Sequence, residues 1–513
     1  MRERLVARSE PFDILVIGGG ATGVGVAIDA ASRGYATVLL EQSDFGKGTS
    51  SRSTKLIHGG VRYLQQGNLP LVMEALKERG VLRRNAPHLV RELPFVVPNY
   101  QWWEAPFYGI GMRVYDALAG RYGFGDSRNL SWEETVARIP TIETNGLRGG
   151  VVYHDGQFDD ARLLIHMAMT AAEQGAVLFN YCEVTELEKA GDGYIRGVTA
   201  VDHESGETLH VDARQVINCT GVFADRIRTL DDAASRPRIR PSQGVHIVLD
   251  RRFMPADSAI MVPHTDDGRV LFAIPWHSRV LVGTTDTAVD EASLEPRALP
   301  EEVAFLLEHA ARYLTENPRP ADVLSVFAGL RPLIGGSDEE TAALSREHQL
   351  LVSQSGLLTV AGGKWTTYRK MAQDAVDHAA MLAGLPARPC VTRRLRIHGA
   401  DSHADRHGEL HVYGTDAPAV ASLLRSEALG VRVHPQLDVR GAEVVWAVRR
   451  EMARTVDDVL ARRTRALILN ARAAVEAAPM VARLMADELG HDDSWAERQV
   501  AAFMEIAGGY LPA

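Results

Sequence analysis

Apolar and polar positions alternate in short blocks along the chain. Residues 12–17 form an apolar run ending in glycines, residues 22–33 follow a helical pattern, and residues 36–40 form a second apolar run closed by Glu41. A strand buried on both faces reads as continuous apolar sequence, whereas a helix repeats its apolar positions every three to four residues. Strand, glycine turn, helix and strand in that order predict the opening of a doubly wound α/β domain. Residues 69–140 read as mainly helical around a centre rich in Pro and Trp, and 161–174 as a helix. Strands are expected at 177–179, 184–188 and 216–218. The stretch 245–286 is β-rich, with apolar clusters at 245–249, 270–274 and 280–282, and a helix is expected at 301–314. A strand at 357–361 runs into Gly362-Gly363 and a helix starting near Thr366; a linker at 385–389 precedes a largely helical region, 400–513. There is no internal repeat.

Bulk properties narrow the classes. A chain of 513 residues is expected to fold as several packed lobes. A net charge of −10 argues against a nucleic-acid partner, whose footprint would be basic. The three cysteines, Cys182, Cys219 and Cys390, are far apart and never form CxxC, so neither a disulfide scaffold nor a metal site is expected. No stretch reads as a signal peptide or transmembrane helix, which leaves peripheral contact as the expected mode of any membrane association.

Three motifs carry chemistry. In Gly18-Gly19-Gly20-Ala21-Thr22-Gly23, residues Gly18, Gly20 and Gly23 hold the GxGxxG positions between an apolar strand and a helix. Such a turn brings backbone N–H groups and a helix N-terminus against a pyrophosphate. Glu41 then stands where a carboxylate accepts hydrogen bonds from the adenosine ribose, and its charge disfavours a 2′-phosphate. The second motif runs from Gly48 through Thr49, Ser50, Ser51 and Lys55 to His58-Gly59-Gly60-Val61-Arg62-Tyr63. Its small hydroxyl residues and glycines suit backbone lying against a flat ring and its pyrophosphate. NAD enzymes need no such second loop, so the pair of motifs points to a flavin, FAD. The third, Gly363-Lys364-Trp365-Thr366, is a late strand-to-helix turn whose helix end can face the ring and stabilise negative charge on it.

Together these motifs resemble the FAD-dependent glycerol-3-phosphate dehydrogenases of the D-amino-acid-oxidase-like superfamily. Further pieces of the resemblance are the run from Tyr153 to Arg162, Pro275-Trp276, Gly283-Thr284-Thr285-Asp286, Gly329-Leu330-Arg331-Pro332-Leu333, and the segments 447–455 and 462–465. The fold implied is a Rossmann-type FAD-binding domain with an interleaved β-rich substrate domain and a helical C-terminal domain. The expected division gives 1–95, 151–235 and 356–385 to the FAD-binding domain, 96–150 to a helical and aromatic cap, 236–355 to the substrate domain, 386–400 to a linker and 401–513 to the helical domain.

The activity implied is oxidation of sn-glycerol 3-phosphate to dihydroxyacetone phosphate, with electrons passed to a membrane quinone. Such enzymes are usually peripheral membrane proteins, which implies a cytoplasmic enzyme on the inner face of the cell membrane; a homodimer is left open. A phosphate dianion suits guanidinium forks, and Arg62, Arg331 and Arg346 are the candidates, with Tyr63 beside the first. Loss of hydride from carbon 2 requires a base at the hydroxyl and a positive environment for the oxyanion. His246 is the candidate base, Lys364 its rival or an oxyanion partner, and Arg331 a sharer of that electrostatic role. The cofactor set expected is Gly18, Gly20, Gly23, Glu41, Thr49, Ser50, Ser51, Lys55, His58, Gly59, Gly221, Gly363, Lys364 and Thr366. Gln157 to Arg162 is expected to brace a domain junction. Two alternatives stay open: an oxidase on the same fold that reduces oxygen to hydrogen peroxide, and a non-catalytic flavin-binding protein.

Eight aromatic residues lie between Tyr100 and Phe124 in a chain that is 6% aromatic. Aromatic side chains favour the membrane interface, yet the same composition suits a packed loop. Both readings stand; in the membrane reading Arg449, Arg450 and Arg454 are the basic companion to the lipid contact.

Overall fold

A computed structural model describes residues 8, 10–60, 68–263, 265, 269–335 and 348–512. Two large sheets and a helical domain organise it. In the first sheet, Val177–Phe179, Thr37–Leu40, Phe12–Ile17, Thr208–Asn218 and Leu358–Ala361 run parallel in that order, and Gln349–Val352 closes one edge antiparallel. Ile14 and Val16 face a core shared with helices Ala21–Ser32, Asp160–Glu173 and Tyr368–Leu382. Leu15 and Ile17 face the opposite core, under the ribbon Cys182–Lys189 and Ile195–Asp202. Burial on both faces is why this strand reads as unbroken apolar sequence.

The second sheet is mainly antiparallel and has ten strands among the described residues. Ile239–Asp250 lies between Arg279–Gly283 and Val323–Ile334, and pairs with the latter along almost its whole length. Val90–Asn99 pairs with Gly149–Phe158 over ten positions. Both strands belong to this sheet and run across positions 95 and 150, while helices Leu69–Asn85, Glu104–Ala119 and Trp132–Arg138 make 69–140 mainly helical around the strand Val90–Asn99. Pro94 and Pro98 argue against a strand by sequence. The neighbour on the other side reaches only Phe95 and Val96, however, so neither proline has to donate to that ladder. Gly149–Phe158 is buried nearly throughout and therefore shows no alternation.

The C-terminal helices Gly441–Arg450, Ala471–Leu489 and Asp493–Ala507 pack on the second sheet, where Val248, Trp276, Leu281 and Phe327 join their core. Arg162 on helix Asp160–Glu173 forms a buried pair with Glu451, Asp159 meets Arg465 at 2.9 Å, and Asp160 holds Lys55. The acids of the 157–162 run thus tie together the first sheet's helix, the second motif and the C-terminal domain.

Candidate active site

The dinucleotide turn follows directly from its residues. Strand Phe12–Ile17 ends at Gly18, whose φ of +107° is strained for any residue with a Cβ. A Cβ on Gly23 would stand 1.9 Å from the Gly18 carbonyl oxygen, so Gly23 admits the helix close to the strand and lines no cavity itself. Glu41 accepts from the Gly19 N–H at 2.5 Å and from the Ser43 N–H at 2.9 Å. Burial raises its carboxyl to about 7 against the pull of those two donors. Ser50 Oγ accepts the Ala21 N–H at 2.9 Å, and Trp365 Nε1 donates to the Ser50 carbonyl at 2.8 Å. The three motifs, far apart in sequence, therefore meet around one cleft.

Gly18, Gly20, Glu41, Thr49, Ser50, Gly221, Gly363 and Lys364 all line this cleft. The backbone turn, the buried acid and the hydroxyl-rich loop fit the adenosine diphosphate half of FAD, for which Glu41 would hold the ribose and the turn the pyrophosphate. Besides Gly23, five expected cofactor residues stand elsewhere. Lys55 is fully buried, donating to the Ser51 carbonyl at 2.7 Å and to Asp160 at 2.8 and 2.9 Å, so its charge neutralises an internal acid rather than a phosphate. Ser51 serves that bond with its carbonyl. Gly59 donates to Tyr115 Oη at 2.8 Å beneath the helix Glu104–Ala119, and His58 lines the neighbouring cavity. Thr366 is buried in the turn before helix Tyr368–Leu382. Lys47, Thr220 and Trp365 line the cleft and are the additions; Trp365 sits inside the third motif, where its neighbours drew the attention.

The neighbouring cavity holds about 320 Å³, at the small end for ligand sites. Thr49, Pro332, Gly363, Lys364 and Trp365 line both spaces, so cleft and cavity share a wall. His246 and Arg331 line the cavity from adjacent strands of the second sheet. His246 stacks on Phe327 at 4.8 Å, and its Nε2 lies 3.0 Å from Thr54 Oγ1. Burial, and then the charges of Lys55 and Arg331, hold the imidazole well below its ordinary value, so it is neutral. A Cβ on Gly283 would stand 2.2 Å from His246 Cδ2, so glycine there is what admits the ring.

Arg331 is held in place by its own strand neighbours. Nη1 donates to Asp286 Oδ1 at 3.0 Å and Nη2 to the Thr285 carbonyl at 2.9 Å, while a Cβ on Gly244 would collide with the guanidinium. Asp286 lies within a motif quoted for the family, but spacing alone gives no sign that it meets a residue 45 positions later. Thr54, the other addition, stands in the second motif. The expected substrate residues Arg62, Tyr63 and Arg346 lie outside the described residues.

Comparison with known proteins identifies the family. Residues 13–369 match the family model described as FAD dependent oxidoreductase, and residues 358–496 match the C-terminal domain of alpha-glycerophosphate oxidase. The mitochondrial glycerol-3-phosphate dehydrogenase of Mus musculus is 40% identical over 98% of this chain and 73% of its own length. That of Schizosaccharomyces pombe is 36% identical over 99% of this chain and 89% of its own. The glycerol-3-phosphate dehydrogenase from Bacillus halodurans, solved by X-ray crystallography in complex with FAD, superposes with a TM-score of 0.81 at 29% identity, covering 99% of this chain and 97% of that one. The chain belongs to the FAD-dependent oxidoreductase family and, within it, to the glycerol-3-phosphate dehydrogenases.

Proposed function

We propose that the protein oxidises sn-glycerol 3-phosphate to dihydroxyacetone phosphate and delivers the electrons to a membrane quinone. The observation that carries the reading is the wall shared by cleft and cavity, with the neutral His246 and the anchored Arg331 in the cavity behind it. FAD, when bound, supplies the acceptor for the hydride of carbon 2. His246 takes the proton of the carbon-2 hydroxyl, directly at Nε2 or by way of Thr54. Arg331 and Lys364 offer positive charge to the oxygen as the carbonyl forms. The cations that keep His246 neutral oppose its protonation, and the charge of a bound phosphate offsets them, bringing the base into its working range when substrate is present. Arg331 also holds the phosphate in this proposal, and Arg62, Tyr63 and Arg346 complete that site.

The acceptor is argued from the surface. On helix Glu104–Ala119 and the turn before it, Trp102, Trp103, Phe107, Ile110 and Val114 are between 43% and 74% exposed, four of them at helical spacing. The opposite face, with Tyr108, Met112 and Tyr115, is buried. The aromatic segment therefore divides: Tyr108, Tyr115 and Phe124 are core, and Trp102, Trp103 and Phe107 join Ile110 and Val114 in an apolar stripe suited to lie in a bilayer interface. Arg449 is paired with Glu488 at 2.5 Å, so the basic helix adds less than its sequence suggests. Among the described residues no helix is long and apolar enough to cross a membrane. Anaerobic mixing with glycerol 3-phosphate should bleach the flavin, and a quinone analogue should restore its colour in turnover. No bleaching removes the substrate assignment; peroxide formed in air in proportion to substrate consumed would replace the quinone by oxygen.

A further inference from the structure

The loop 41–52 carries Glu41, Lys47, Thr49 and Ser50 to the cofactor cleft. It rests on a set of buried charges supplied by the C-terminal domain. Asp44, fully buried, accepts from Arg462 Nε and from Arg463 Nη1. Arg462 Nη2 also donates to Asp457 and Asp458, each at 2.8 Å. Lys47 Nζ reaches Asp457 and Glu295, both at 2.6 Å. Asp458 in turn accepts from Tyr181 Oη at 2.6 Å, and the Tyr181 N–H donates to the Ser43 carbonyl at 2.9 Å. At the end of the loop, Arg52 meets Tyr510 Oη at 3.1 Å and Glu295 at 2.5 Å. Arg462 and Arg463 sit on a π-helical turn, Asp458–Arg463, a distortion that recurs where a helix must present side chains out of ordinary register.

Apolar side chains would hold the domain in this place at less desolvation cost, since buried ion pairs contribute little net stability. What the charged set adds is geometry. Its bonds form together only when loop and turn have one relative placement, which is also the placement that brings Glu41 and Ser50 to the dinucleotide turn. We propose that the π-helical turn, through Arg462 on Asp44 and Asp457 on Lys47, positions the FAD-binding loop, so that cofactor affinity and the order of the C-terminal domain are thermodynamically coupled. Arg462 is a positioning residue, acting on the cofactor through the loop. Coupling of this kind is reciprocal: if the turn steadies the cofactor loop, the cofactor steadies the turn.

Amide hydrogen exchange on the full-length holoenzyme and on apoprotein prepared from it reads this reciprocity. Removal of FAD should speed exchange at residues 42–50 and also at 455–465, while helix Asp493–Ala507 keeps its protection. Titration of FAD onto Arg462→Gln apoprotein should give a Kd raised about tenfold or more, the usual size of coupling between sites. Arg449→Ala, which breaks only the exposed pair with Glu488, should keep the parental Kd. Should Arg462→Gln not fold, Asp457→Asn, which weakens the same set from the C-terminal side without lining the cleft, carries the comparison. Exchange at 455–465 indifferent to FAD, or a folded Arg462→Gln that takes FAD with the parental Kd, overturns the proposal.

Discussion

His246, the proposed base, is buried beside the charges of Lys55 and Arg331, and its behaviour tests the site at the level of single residues. Its imidazole lies well below the ordinary value, so no loss of kcat/KM from its protonation is expected as the pH falls through 6.5. A break near 6.5 that disappears in His246→Gln would mean a solvated imidazole; one that persists belongs to the substrate phosphate, which takes up its own proton near pH 6. His246→Gln should keep FAD and slow anaerobic flavin reduction by about a hundredfold or more, the usual worth of a positioned base; reduction at the parental rate would pass the role to Lys364. Arg331→Ala should cost roughly 1.5–3 kcal/mol, with a larger loss on glycerol 3-phosphate than on glycerol. Equal losses on both would put Arg331 at the hydroxyl and leave the phosphate to other residues. Glu41 makes a prediction of the opposite pH sense. Its carboxyl is raised from 4.5 to about 7, so the folded apoprotein keeps a proton that the unfolded chain has released, and apoprotein stability falls as pH rises through that window. Ribose hydroxyls favour the charged form, so FAD affinity should rise with pH up to about 7 and level off above it. FAD titrations across pH check this, and Glu41→Gln should flatten the curve.

At the scale of elements, the helix Glu104–Ala119 is divided lengthwise between core and surface. Trp102→Ser with Trp103→Ser removes exposed rings only, so it should weaken vesicle binding and quinone reduction and leave anaerobic reduction by substrate intact. Unchanged vesicle binding together with lost thermal stability would make the stripe a packing surface. The sequence announces the rings but cannot assign them to faces, because prolines and glycines interrupt the periodicity. A similar limit governs the strands. Those around the dinucleotide turn are legible from continuous apolar runs and the glycines after them. Val90–Asn99 is hidden by two prolines that its short neighbouring strand tolerates, and Gly149–Phe158 by burial on both faces. In the site, residues whose backbone does the work, such as Gly18 and Gly20, follow from the motif. Lys55 is misread because an ammonium beside a phosphate loop and one neutralising an internal acid look alike until Asp160 is found, 105 residues away.

On the scale of the whole molecule, three domains are joined by buried charge. Arg162 and Glu451 are both fully enclosed, and the guanidinium also lies 4.2 Å over the ring of Tyr413. Arg162→Met leaves Glu451 buried without a partner and should destabilise the protein by about 3–5 kcal/mol in denaturant unfolding, most of it recovered by adding Glu451→Leu. A loss below about 1 kcal/mol would rank the pair with surface ion pairs. The interleaving of the two sheets reaches beyond the folded state. The first sheet needs Phe12–Ile17, Thr208–Asn218 and Leu358–Ala361; the second needs Val90–Asn99, Ile239–Asp250 and Val323–Ile334. At roughly 5–20 residues per second, a ribosome takes on the order of half a minute to deliver Ala361. Until then the nascent chain holds strands whose partners have not been made, with apolar faces open to water and to other chains. Both clefts are therefore assembled only late in synthesis, and a chain stalled short of Leu358 has every reason to aggregate and no place to hold a flavin.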